Sequence, residues 1–189
     1  MQSVRIRITL AITLLVGNWA RAETPVVPDG TIGHWTFDDH CRDSCGLHHG
    51  QMFGCRLVPE AKVGSHCVEF GSRDKHRSVV LGDFDPSAGD LTISMWICPH
   101  RDGNGHQILM AKRKAWKQDS LRWQFVWQDI HPPKKPIPGE PYALTKEVLR
   151  FESWPDSRAE FPCKLSPGKW THLALVHRRE DGLTRLYID

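Results

Sequence analysis

The feature that most constrains this chain is its punctuation. Short runs of β-branched and aromatic residues are each closed by Gly, Pro, Asp or Asn, and no convincing amphipathic helix interrupts them. That pattern predicts an all-β, antiparallel domain. LTISMWIC shows it best. Leu91, Ile93, Met95 and Ile97 fall on one face, and Thr92, Ser94, Trp96 and Cys98 fall on the other. Both faces are largely apolar or neutral, as an inner strand requires. Thr31–Phe37 reads as a first strand. His66–Phe70, Ser78–Leu81, Gln107–Ala111, Leu121–Trp127, Val148–Ser153, Thr171–Val176 and Thr184–Ile188 read as others, with residues 101–105 (RDGNG) as a turn. HPPKKPIPGEP, residues 131–141, is too rich in proline to pair in a sheet and is expected to be a stiff exposed loop, either an inserted connection or a binding loop. In the last strand Leu186 and Ile188 share a face. The sequence ends at Asp189, where a return strand is expected, which would leave an edge without its partner.

The first residues read as a leader. Arg5 and Arg7 form a basic start, Ile8–Trp19 is an apolar stretch short of a comfortable membrane span, and Ala20-Arg21-Ala22 has the small-x-small form of a cleavage site. The competing readings are a buried helix or a membrane anchor. The expected organisation is a signal peptide over 1–22, a linker over 23–30 and one domain over 31–189. Cleavage would remove three arginines and no acid, so the 25 Lys+Arg fall to 22 and equal the 22 Asp+Glu. No basic footprint for nucleic acid remains, and no membrane span follows the leader. The product is expected to be secreted, periplasmic or held at the cell surface. All six cysteines, Cys41, Cys45, Cys55, Cys67, Cys98 and Cys163, lie beyond the leader. In an oxidising compartment disulfides are the default, with their pairing open. Cys55 and Cys67 flank a hairpin-like VPEAKVG and could join, which would leave Cys98 to Cys163 as a longer link.

HWTFDDHCRDSCGLHHG, residues 34–50, concentrates candidate ligands. Cys41, Cys45, His48, His49 and Cys55 could serve zinc, although exported thiolates tend to oxidise. Asp38, Asp39 and Asp43 are hard oxygen donors beside a glycine turn and could hold calcium. Against that stands the routine capping of turn N–H groups by Asp. No enzyme motif accompanies them. Glu147, Glu152, Asp156 and Glu160 are scattered about a turn, His172 and His177 fall on opposite faces of their strand, and no nucleophile elbow, phosphate loop or dinucleotide fingerprint occurs.

Several segments in order, GHWTFDD (33–39), DSCG (43–46), VEFG (68–71), LTISMWI (91–97), ILMAK (108–112), GKWTHLALV (168–176) and LYID (186–189), together resemble the laminin-G-like, concanavalin A-like lectin domains of exported bacterial proteins. The resemblance implies a jelly-roll sandwich of two antiparallel sheets that binds glycans or proteins, often with calcium and often beside a catalytic domain. Two features depart from it: the stop at LYID, where family domains add further strands, and the Cys and His enrichment of residues 40–67. Trp35, Trp96 and Trp170 lie in strand-like runs and are expected in the core. Trp116 and Trp154 lie among turn formers and are the candidates for stacking on a sugar. The expectation is therefore an exported, non-catalytic module that recognises glycan or an extracellular protein through rim loops. The alternative is an accessory piece of a larger secreted enzyme such as a glycan-active hydrolase.

Overall fold

The computed structural model describes residues 4–7, 29–71, 77–83, 89–100, 106–113, 121–130, 146–153 and 157–189. The proline-rich stretch 131–141, Trp116, Trp154 and Asp156 lie outside them. Every regular element described is a strand: β1 (Val4–Arg7), β2 (Gln51–Phe53), β3 (Arg56–Val58), β4 (Cys67–Phe70), β5 (Ser78–Val80), β6 (Leu91–Pro99), β7 (His106–Arg113), β8 (Leu121–Ile130), β9 (Lys146–Ser153), β10 (Ser157–Pro162), β11 (Thr171–His177) and β12 (Thr184–Ile188). They form a six-stranded sheet in the order β12-β11-β6-β1-β4-β3, a four-stranded sheet β10-β9-β8-β7, and a small pair β2-β5. All pairings are antiparallel. The chain is thus an all-β sandwich, as the punctuation predicts. Among the described residues no helix is long and apolar enough to cross a membrane.

The two large sheets meet through one core. Ile93 and Met95 of β6 and Leu173 and Leu175 of β11 come from one side. Trp123, Phe125, Trp127, Leu149 and Phe151 of β8 and β9 come from the other, and none of these is more than marginally exposed. Register explains the sorting. Leu173 pairs with Met95 and Leu175 with Ile93, so the apolar positions of both strands share a face. Each such side chain contributes about 1.5–3 kcal/mol on burial. The opposite face of β6 is half-buried at Trp96, where Lys62 Nζ sits 5.5 Å from the ring centroid and the His172 ring lies 5.1 Å away. Of the three tryptophans expected in the core, Trp35 is fully enclosed, while Trp96 and Trp170 are only half-buried.

The strand expected over Thr31–Phe37 does not form. The segment runs irregularly to a left-handed Phe37 at φ 59°, and its backbone bonds go to a turn: Ser44 N donates to His34 O at 2.8 Å and His34 N to Asp43 Oδ1 at 2.7 Å. His34, Trp35 and Phe37 are nevertheless buried, so the apolar pattern records packing without pairing. Strands β2, β3 and β10 are short or charged, and neither property signals a strand in the sequence. The VPEAKVG hairpin is present between β3 and β4. Its register sets Val58 opposite Cys67, which displaces Cys55 by three residues, about 10 Å along the ladder. A bridge needs Cα atoms within about 7 Å, so this geometry excludes a Cys55–Cys67 link. No disulfide joins any of the six cysteines here.

The four residues of β1 lie inside the expected leader. They pair with both β4 and β6, with Arg5 in register with Glu69 on one side and Cys98 on the other. The start of the chain thus completes the six-stranded sheet.

Candidate functional site

Asp43 organises the turn that opens the domain. Its Oδ1 accepts the N–H groups of His34 and Cys45, at 2.7 and 2.9 Å, and its Oδ2 accepts those of Leu47 and His48, at 3.2 and 3.0 Å. Burial pushes this carboxyl up, and the four backbone bonds more than offset it, holding Asp43 below the usual carboxylate range. Trp35 Nε1 donates to His48 O at 2.8 Å, which ties the turn to the core. Asp38 instead caps a different loop, accepting Ser65 N at 2.7 Å, and Asp39 pairs with His40 at the surface. The three aspartates are therefore not gathered around a common point. Among the described residues no group of three or more His, Cys, Asp or Glu is placed to hold a metal ion, which applies to the Cys and His set as well. Turn capping is what the hydrogen bonds of Asp43 and Asp38 display. The Cys41 thiol is pushed up to about 11, by burial first and then by the neighbouring Cys55.

Two of the carboxylates that look scattered in the sequence, Glu152 and Glu160, come together on the face of the four-stranded sheet away from the core, while Glu147 accepts from Leu165 N. Ladder register sets Glu152 opposite Arg158, Glu160 opposite Arg150, and Gln124 opposite Glu152. The side chains connect accordingly. Arg113 Nη2 donates to Gln124 Oε1 at 2.9 Å, and Gln124 Nε2 donates to Glu152 Oε2. Arg150 Nε lies 3.0 Å from Glu152 Oε1, and Arg158 Nε donates to Glu160 Oε1 at 3.1 Å. Longer ion pairs of 3.9 Å join Arg150 to Glu160 and Arg158 to Glu152 and close the quartet. His106, at the β7 edge of this face, is held below its usual range by burial first and then by the charge of Arg150.

The lattice grades from a buried floor to an open rim: the side chain of Arg150 is 10% exposed and that of Arg158 58%. Gln124 is held by hydrogen bonds on both sides, to Arg113 and Glu152, while Arg150 is held by ion pairs to Glu152 and Glu160 without a hydrogen bond at Nε. Donors and acceptors alternate, which is the complement of a surface of hydroxyl groups, since each hydroxyl both donates and accepts. The sequence did hold a signal for this array. Arg150-x-Glu152 and Arg158-x-Glu160 repeat one charge order at the two-residue strand period, on either side of a turn. The candidates Trp116 and Trp154 follow this sheet in sequence, three residues after Arg113 and directly after Ser153. No protein-family model, curated protein or solved structure matches the chain.

Proposed function

We propose that this chain is an exported, non-catalytic recognition module that binds glycan on the outer face of the β7–β10 sheet and the loops at its rim. The observation that supports it most is the alternating lattice of Arg150, Glu152, Arg158, Glu160 and Gln124, a fixed hydrogen-bonding surface of mixed polarity. Guanidinium and carboxylate groups hold vicinal hydroxyls in pairs, and Trp116 and Trp154, outside the described residues, are the candidates from the sequence for stacking on a sugar ring. Export rests on the leader reading of residues 1–22. The test is a glycan array probed with the chain and with Glu152→Gln, which keeps the shape and removes an acceptor charge. Selective binding by the chain, weakened tenfold or more in the variant, supports the reading. No selective binding, or binding indifferent to Glu152, overturns it.

A second reading, an accessory domain of a larger secreted enzyme such as a glycan-active hydrolase, is favoured by one feature. Strand β12 is the outer edge of its sheet and exposes Tyr187 and Ile188. An apolar edge of this kind is suited to pairing with further polypeptide. Co-purification with a hydrolase that protects β12 amides from exchange would establish it.

A further inference from the structure

Between β5 and β7 the described residues leave a gap in the sandwich. A cavity of about 560 Å³ enters there, with Phe37, Val68 and Trp123 as its floor and Val79 and Met110 among its walls. Its volume is that of a site for a drug-sized molecule.

The polar groups lining it are unusual in sign. Arg77 Nε, Gln107 Nε2 and Trp123 Nε1 are buried, and none has a hydrogen-bond partner among the described residues. All three are donors. Buried donors are rarely left unmet in a native protein, and three lining one cavity ask for acceptors. Lys112, Arg113 and Asp83 line the cavity as well, and the Lys112 ammonium neutralises the exposed Asp83 carboxylate, the one acid among them. Arg77 is also seated by the fold. A Cβ on Gly71 would come within 1.5 Å of Arg77 Nη1, so the absence of a side chain at Gly71 is what lets the guanidinium lie there.

We infer that this cavity binds an amphipathic organic anion: a carboxylate head that accepts from Arg77 and Gln107, on an apolar body that packs against Trp123 and Met110. The chemistry differs from that of the outer sheet face. There donors and acceptors alternate, as hydroxyls require; here donors line apolar walls, as an anionic head with a greasy body requires. Arg113 lines the cavity and also belongs to the outer-face lattice, but Arg77, Gln107 and Gly71 do not, so variants at those three test the cavity and leave the lattice intact.

The test is calorimetric titration of the full chain with dodecanoate below its micelle concentration, and with 2-naphthoate to separate linear from aromatic bodies. Acetate supplies the head alone, and dodecyltrimethylammonium supplies the tail with the opposite charge. At least one of the two amphipathic carboxylates is expected to bind at a one-to-one ratio, with acetate and the cation at least tenfold weaker. Arg77→Met should weaken the carboxylate at least tenfold. Gly71→Ala, which displaces the guanidinium without removing its charge, should weaken it by a smaller factor. If Arg77→Met does not fold, Gln107→Leu carries the same expectation. Equal binding of anion and cation would reduce the cavity to an apolar gap and overturn the proposal. So would unchanged affinity in the variants, or no binding of either carboxylate.

Discussion

Replacing Asp43 tests the account of the opening turn most sharply. Four backbone N–H groups end on its two oxygens. In Asp43→Ala all four lose their acceptor. The N–H of His34 is buried and stands to lose about 1–3 kcal/mol, while the other three are partly reachable by water and should lose about 0.5–1 kcal/mol each. The expected destabilisation is about 2.5–6 kcal/mol, a fall in Tm of roughly 5–24 °C at this chain length. Asp43→Asn should fare little better, because its single carbonyl oxygen can serve one pair of N–H groups while its NH₂ faces the other pair. The sign with pH follows. The folded carboxyl lies below its unfolded value of about 3.9. Its contribution is therefore complete above that value and is lost as pH falls through the folded one. Denaturant unfolding of wild type and both variants, at pH 7 and at stepwise lower pH, gives all three quantities. EDTA should leave the wild-type midpoint unmoved. The reasoning is refuted if Asp43→Asn matches wild type, if Asp43→Ala costs under about 0.5 kcal/mol, or if EDTA lowers wild type to the level of the variants.

Other consequences are open to simpler measurements. Gly33→Ala places a Cβ 2.3 Å from Trp35 Cη2, and the forced shift of a buried ring should cost about 1–3 kcal/mol, read as a lower Tm and altered tryptophan fluorescence. Leu175→Ala, at a fully enclosed core site, should cost about 2–5 kcal/mol in the same melt. Arg150→Met leaves Glu152 and Glu160 with Arg158 as their one remaining quartet partner and should destabilise by about 2–4 kcal/mol, whereas Arg158→Met at the open rim should cost under about 1 kcal/mol. His177 is held below its usual range, by burial first and then by the charge of Arg179, so its neutral form is the one the fold accepts. Stability should fall as pH drops below about 6.5, and less steeply in His177→Gln. Cys41, with its thiol pushed up to about 11, should be alkylated by iodoacetamide at pH 8 far more slowly than the same residue in denaturant.

The sequence made the long strands legible, because β6, β8, β9 and β11 carry the apolar alternation that a sandwich core imposes. It misled at Thr31–Phe37, where the same kind of residues are buried by an irregular segment bonded to Asp43 and not to a neighbouring strand. Burial and pairing leave one signature in a run of apolar residues, and only the backbone bonds tell them apart. The polar lattice was hidden for a different reason. Glu152 and Glu160 are eight positions apart, and it takes the β9–β10 register to bring each beside two arginines. The unmet donors of the cavity were less legible still, since Arg77, Gln107 and Trp123 share no spacing and reach one cavity from three separate stretches of chain.

On the proposed reading of residues 1–22 as a leader, strand β1 has a consequence for the order of events in export. A signal segment must be extended and free to be taken up by a translocase, yet here its first residues are laced by backbone bonds between β4 and β6. Folding and departure then compete for the same four residues. On that proposal a chain that folds early would sequester its own address, export would favour a chain still unfolded, and removal of residues 1–22 would unlace β4 from β6, two strands that would then have to close another way.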